Sequence, residues 1–106
     1  MASFIFIYRA GPDPITDDRI AENRAAWTEW NEALHEDYGI RTATGKLLTS
    51  TGVSDSDGVV RGASMVEFES LDAAVEFARK SPNLNFGGSV EVLEEMPHQA
   101  PKSPEF

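Results

Sequence analysis

Residues 64–97 read SMVEFESLDAAVEFARKSPNLNFGGSVEVLEEMP and predict a strand, a helix, a loop and a second strand. Ser70 is a residue type favoured at helix N-caps, and the apolar residues after it recur at three- and four-residue spacing. A helix is therefore predicted over residues 71–80. Pro82 ends it, because proline lacks an N–H group and disfavours helical geometry in the residue before it. Valines that alternate with polar residues then predict a strand over residues 89–93.

The N-terminal half predicts a strand, a helix and two further strands. Phenylalanine and tyrosine alternate with isoleucine over residues 3–9, so both faces of this first predicted strand are apolar. A helix follows over residues 17–38, where large apolar residues form one stripe and Gly39 is the predicted C-cap. Residues 46–51 and 59–69 have the composition of strands.

The dipeptide Asp57-Gly58 separates these two strands and suits the positive φ angles of a hairpin turn, so they are predicted to pair antiparallel. The resulting order is strand, helix, strand, strand, helix, strand. We predict an α+β, ferredoxin-like fold in which both helices lie on one face of an antiparallel sheet. Since the first strand is apolar on both faces, a second copy of the chain is expected to cover the other face and form a dimeric α/β barrel.

Length and composition bound the class of protein. The 106 residues predict one domain over residues 1–97, and the proline-rich residues 98–106 are predicted to form a disordered tail. A net charge of −9 argues against nucleic acid or an anionic membrane surface as a partner. The chain has no cysteine, which excludes disulfides and thiolate chemistry. No signal-peptide or transmembrane pattern is recognised, so a cytoplasmic location is the expectation.

The run MVEFESLDAAVEFARKSPNLNFGGSVEVLEEMP resembles the YCII-related (YciI-like) family. In that family an acidic strand end, a Ser-Leu-Asp helix start, a small residue before proline, Gly-Gly and a Val-Glu-Val strand occur in this order. The paired tryptophans of AAWTEW resemble the family's first helix. The resemblance implies a ferredoxin-like subunit, a dimeric α/β barrel and a small cleft between sheet and helices that some members use as an active site.

Characterised relatives use a His-Asp pair for acid-base chemistry, and this chain departs from the family at both positions. The histidine position falls near Trp27 and the aspartate position falls on Ser81, and neither side chain transfers protons near neutral pH. The DGPF tetrapeptide of a related branch does not occur in the chain. The resemblance therefore supplies no catalytic residue.

Two tryptophans and a tyrosine are the main candidates for a binding site. Trp27 and Trp30 lie on adjacent turns of the predicted helix and can line a concave apolar site, to which Tyr8 supplies a hydroxyl. The alternative is that both rings belong to the core. Glu67 is interpreted either as a solvated or ion-paired group or as a buried carboxylate with a raised pKa. The predicted ligand-binding residues are Tyr8, Trp27, Trp30, Glu67 and Ser81.

The sequence predicts neither a metal site nor a cofactor. His35 is interpreted as a surface residue at the end of the first helix. With no cysteine and no second histidine at ligand spacing, a zinc or iron site would need carboxylates alone.

Three hypotheses for the function follow. The first is a small homodimeric protein that binds a small organic molecule in the cleft. The second is a cofactor-free lyase, isomerase or oxygenase that acts on a small aromatic or lactone substrate. The third is a purely structural dimerisation module. An ionisable group in the cleft, such as Glu67, Glu91 or His35, would favour the enzyme, aromatic lining alone would favour binding, and a filled cleft would favour the structural module.

Overall fold

The computed structural model describes residues 1–96, so the predicted tail at residues 98–106 lies outside the described residues. Short 3₁₀ helices cover Asp17–Arg19 and Pro82–Phe86. No helix within the described part is long and apolar enough to cross a membrane. The strands are β1 (Ala2–Arg9), β2 (Glu36–Arg41), β3 (Lys46–Thr49), β4 (Gly52–Asp55), β5 (Val60–Phe68) and β6 (Ser89–Glu94), and the helices are α1 (Ile20–Ala33) and α2 (Leu71–Ala78).

Four strands form one antiparallel sheet in the order β2-β5-β1-β6, and β3 and β4 form a separate two-stranded hairpin. The predicted α+β class, with one antiparallel sheet and two helices in ferredoxin-like order, is confirmed. Both helices pack on one face of the sheet, which we call the inner face. The core on this face consists of Phe4, Phe6, Tyr8 and Val66 from the sheet and Trp30, Leu34, Ala74 and Ala78 from the helices.

The predictions for the second helix and the last strand are confirmed. Ser70 is the N-cap of α2, and its Oγ accepts a hydrogen bond of 3.1 Å from the backbone N–H of Ala73. This contact satisfies one of the donors that the first turn of a helix leaves free. The strand predicted over residues 89–93 is β6, which pairs with β1.

The predicted first helix is wrong beyond Ala33. Leu34 already has an extended ψ of 120°, and Gly39 is not a C-cap but a residue of β2 that pairs with Ser64. Tyr38 continues the helical spacing from Leu34 in the sequence, yet the two side chains lie in different environments, because Leu34 is buried and Tyr38 is exposed. The backbone N–H and C=O groups at the edge of β5 need hydrogen-bond partners. Pairing of β2 with β5 supplies them, and this tertiary interaction overrides the local helical pattern.

The predicted pairing of the two middle strands is also wrong. The strand predicted over residues 46–51 is β3, which pairs with β4, whereas β5 pairs with β2. Gly58 does have the positive φ angle expected of a turn, +70°, and Asp57 Oδ1 accepts a hydrogen bond from Val59 N–H. The Asp57-Gly58 turn, however, leads from β4 into β5 and does not close a hairpin between β3 and β5.

The outer face of the sheet, which points away from the helices, is also apolar. Phe4, Phe6 and Tyr8 are buried on the inner face, so the alternation of a strand places Ile5 and Ile7 on the outer face. The strand registers align further large apolar residues with these two isoleucines. The outer-face residues are Ile5, Ile7, Tyr38, Ile40, Met65 and Leu93.

Candidate functional site

A cleft of about 1060 Å³ opens where the C-terminal end of β1 meets α1 and the inner face of β2 and β5. The inner face carries little side-chain volume here, because Gly39, Gly62 and Ser64 are its residues in the paired strands. Bulky side chains fill the same face farther along β1, where Phe4 and Phe6 are buried. The cleft is therefore the part of the inner face that the small residues leave unfilled.

The floor of the cleft holds a chain of hydrogen bonds that begins in the core. Trp30 Nε1–H donates to the Tyr8 hydroxyl over 3.2 Å, and the Tyr8 hydroxyl donates to Ser64 Oγ over 2.8 Å. Register explains the meeting of Tyr8 and Ser64, because both side chains project to the inner face of the paired strands β1 and β5. Among the described hydrogen bonds, Ser64 Oγ only accepts, so its own O–H is available as a donor at the cleft floor.

The Tyr8 phenol remains protonated at neutral pH. Burial raises the pKa of Tyr8, the hydrogen bonds with Ser64 and Trp30 lower it, and the negative charge of Glu36 raises it further, with a net upward shift. A protonated phenol is the form that donates to Ser64. Tyr8 therefore occupies one lone pair of the Ser64 oxygen and leaves the Ser64 O–H to donate elsewhere.

The two tryptophans have different surroundings. Trp30 is only 4% exposed and packs in the core, with its ring 5.2 Å from that of Phe77. Trp27 is partly buried and lines the cleft, where its ring stands edge-on to Tyr8 at a centroid distance of 5.3 Å. Trp27 therefore offers a ring to a ligand, whereas Trp30 supports the Tyr8 hydroxyl from behind.

Two charged side chains of β2 stand on the inner face and line the cleft. The carboxylate of Glu36 lies above Gly39, since a Cβ atom placed on Gly39 would be 2.5 Å from Glu36 Oε1. Arg41 follows on the same face, opposite Gly62. Arg61 of β5 lines the same cleft. Within residues 1–96, neither arginine takes part in an ion pair.

The rim of the cleft is held by Asn83. Its Nδ2 donates to the carbonyl oxygens of Arg9 over 3.0 Å and Ser89 over 2.7 Å, and its Oδ1 accepts from Ser81 Oγ. The backbones approach closely at this point, because a Cβ atom on Gly88 would be 2.3 Å from the Arg9 carbonyl oxygen. This part of the cleft wall is therefore fixed before any ligand arrives.

The predicted site residues divide into three groups. Tyr8 and Trp27 line the cleft, whereas Trp30 lies behind it in the core. Ser81 is 1% exposed and does not line the cleft, but it orients Asn83, which does. Glu67 lies apart from the cleft, because it pairs with Ser3 on the outer face and is exposed.

The other ionisable candidates also lie elsewhere. Glu91 is on the outer face and forms an ion pair with Arg9 over 2.8 Å. His35 is exposed in the connection between α1 and β2, not on a helix. In the described residues, no three histidine, aspartate or glutamate side chains are grouped so that they could hold a metal ion.

The sequence does not single out Glu36 and Arg41, because the predicted helix runs to residue 38 and no strand is predicted between there and residue 46. Even a correct strand prediction would have placed them on opposite faces, since they are five residues apart and strand side chains alternate. A bulge between Glu36 and Tyr38 changes the parity and puts both charges on the inner face. The small residues Gly39, Gly62 and Ser64 are the feature of the sequence that indicates a cleft at this part of the inner face.

Comparison with known proteins gives one family. The sequence profile of the family described as the YCII-related domain matches residues 2–97. No curated protein matches the chain at a significant level.

Proposed function

The chain belongs to the YCII-related domain family, and from that premise we propose that it binds a small organic molecule in the cleft between α1 and the sheet. One observation carries the proposal, namely that about 1060 Å³ of space is left open beside Trp27 and the Ser64 hydroxyl. Clefts that bind small ligands have volumes of about 300 to 1,000 Å³ and combine apolar walls with a few polar groups. This cleft matches both features.

The site is suited to binding because its parts are already in place. The Tyr8 hydroxyl is fixed by two hydrogen bonds and the rim is fixed by Asn83. A site that needs little reordering on binding retains more of its interaction free energy as affinity. The ring of Trp27 and the Ser64 donor then recognise the apolar body and a polar group of the ligand.

The second part of the proposal is that two copies pack through their outer faces as a dimeric α/β barrel. The apolar residues on the outer face of the single chain support it, since Met65 and Leu93 are about 40% exposed. Large exposed apolar patches mark protein–protein contacts in soluble proteins. Burial of such a face by a second copy removes this surface from water.

An enzyme is the second candidate, and one observation favours it. The Glu36 carboxylate lines the cleft and its charge acts on the Tyr8 hydroxyl, so it could serve as a general base for a ligand bound between them. The reaction would be that of a cofactor-free lyase, isomerase or oxygenase on a small aromatic or lactone substrate. A purely structural module has less support, since side chains do not fill the cleft.

The test is a binding screen with a site variant and a control. Small aromatic acids, phenols and lactones are titrated into the protein while tryptophan fluorescence and heat of binding are recorded. We expect at least one compound to bind, and Trp27→Ala to weaken it while Leu47→Ala, on the exposed β3 strand, does not. Binding that is unchanged in Trp27→Ala, or absent for every compound, would contradict the proposal.

The same screen separates binding from catalysis. Each compound that binds is incubated with the protein and followed by NMR. Conversion that disappears in Glu36→Gln would establish the enzyme. Binding without conversion would leave the binding protein as the function.

A further inference from the structure

The cleft carries a positive group whose charge is not used within the part of the chain that the structure describes. Arg41 stands on the inner face and forms no ion pair there, whereas Arg9, Arg19, Lys46 and Arg79 each pair with a carboxylate. Four of the eight basic residues in the described part form ion pairs, and Arg41 and Arg61 are the unpaired ones that line the cleft. A free guanidinium that faces a partly enclosed cleft attracts an anionic group, which it can bind through two parallel hydrogen bonds.

Three acidic residues also line the cleft, one on β2 and two on loops. Glu36 lies above Gly39 on the inner face and is exposed, while Asp13 and Asp57 line the cleft from connecting loops. Asp57 is engaged by the backbone N–H of Val59. Glu36 is therefore the carboxylate that stands on the inner face of the strands, beside the space open to a ligand.

The strand geometry places these two groups on the same face of the sheet. The Glu36 carboxylate lies at the position of Gly39, and Arg41 is two residues farther along the same face. Two residues of a strand span about 7 Å. The Arg41 guanidinium extends from this backbone position on a long side chain, so it and the Glu36 carboxylate can contact polar groups at opposite ends of a single six-membered ring.

The surroundings suit a flat ring. On β2 and β5 the floor between the two charges consists of Gly39, Gly62 and Ser64, which carry little side-chain volume, and the Tyr8 ring lies beside them on β1. Trp27 lines the cleft and presents an aromatic surface against which a ring can pack. A linear aliphatic ligand would leave that aromatic contact unused.

We propose that the cleft selects a small hydroxylated aromatic carboxylate, with its carboxylate on Arg41, its ring against Trp27 and its hydroxyl donating to Glu36. This inference rests on the proposed binding function and adds the chemical class of the ligand. Arg61 lines the same cleft and adds positive charge near the carboxylate end.

The test compares three probes by calorimetry on the full chain at neutral pH. The probes are 4-hydroxybenzoate, 4-hydroxybenzamide, which lacks the negative charge, and benzoate, which lacks the hydroxyl. We expect 4-hydroxybenzoate to bind about tenfold or more tightly than each of the other two, because benzoate leaves Glu36 without its hydrogen bond and the amide replaces the charged, two-oxygen contact with Arg41 by a single neutral one. This comparison needs no variant.

Two variants then test which residue binds the carboxylate of the ligand and which binds its hydroxyl. Arg41→Gln is expected to abolish the preference for 4-hydroxybenzoate over 4-hydroxybenzamide. Glu36→Gln is expected to abolish the preference for 4-hydroxybenzoate over benzoate. Arg79→Gln is the control, since Arg79 pairs with Glu76 on the exposed side of α2, and it should leave both preferences unchanged. Circular dichroism confirms that each variant is folded.

The outcomes separate this inference from the function on which it rests. If the amide or benzoate binds as tightly as 4-hydroxybenzoate, or if other compounds bind and these three do not, the ligand class is wrong and the binding function stands. If the preferences persist in Arg41→Gln and Glu36→Gln, the assigned contacts are wrong. If nothing in the wider screen binds, both proposals fall.

Discussion

Trp27 and Trp30 lie three residues apart on α1, yet their substitution should affect different properties. Trp30 is buried in the core, so Trp30→Ala should lower the free energy of unfolding by about 3 to 5 kcal/mol. Trp27 is partly exposed in the cleft, so Trp27→Ala should cost clearly less and should instead weaken ligand binding. Urea denaturation of both variants provides the comparison. Equal losses of stability would show that the two rings share one role.

Tyr8 should make the stability of the protein depend on alkaline pH. Burial raises the pKa of Tyr8 in the folded state, so the unfolded chain loses this proton at a lower pH than the folded chain. The stability that the protonated phenol contributes is complete below the ordinary tyrosine pKa of about 10 and is lost as pH rises from there through the raised pKa of the folded state. Denaturation between pH 8 and pH 11 should show this decrease, and Tyr8→Phe should reduce it.

The control for this measurement is Tyr38→Phe, because Tyr38 is the other tyrosine of the chain and lies exposed on the outer face. Tyr8→Phe should also lower stability at neutral pH by about 1 to 3 kcal/mol, since it leaves the buried Trp30 N–H without its acceptor. A pH profile that changes equally in both variants would contradict the role given to Tyr8.

Among the elements, α2 depends most visibly on one side chain. Ser70→Ala removes the N-cap contact to Ala73 N–H and should lower the free energy of unfolding by about 1 kcal/mol. Ser50→Ala, in the exposed turn between β3 and β4, is the matched control and should change it little. Thermal unfolding of the two variants measures the difference. An equal loss of stability in both would mean that the N-cap hydrogen bond makes no specific contribution.

How far each element could be predicted depended on whether its signal is local. The N-cap at Ser70, the proline at Pro82 and the alternation in β6 are local, and all three were read correctly from the sequence. β2 was missed because its formation depends on pairing with β5, which is distant in the chain. The cleft was only half predicted for the same reason, since the bulge that brings Glu36 and Arg41 to one face has no sequence signature in a single chain.

At the scale of the whole molecule, the outer face should hold two copies together. Leu93→Asp would place a charge on the apolar outer face and should dissociate the proposed dimer, because burial of an unpaired charge costs several kcal/mol. Leu71→Asp is the control, since Leu71 is exposed to a similar extent, 44% against 42%, but lies on α2 on the opposite side of the sheet. Sedimentation should give twice the chain mass for the protein and for Leu71→Asp, and the single chain mass for Leu93→Asp. A protein that sediments as a monomer would contradict the dimer.

The central claim, that the cleft beside Trp27 binds a small organic molecule, is tested most directly by the two tryptophan indole N–H signals in a ¹H–¹⁵N NMR spectrum. Titration with 4-hydroxybenzoate and the other screened compounds should move the Trp27 signal strongly, because its ring lines the cleft. The Trp30 signal should move much less, since its N–H is buried and donates to Tyr8. If no compound moves the Trp27 signal, or if the shifts lie among outer-face residues such as Ile5 and Met65, the cleft is not the binding site.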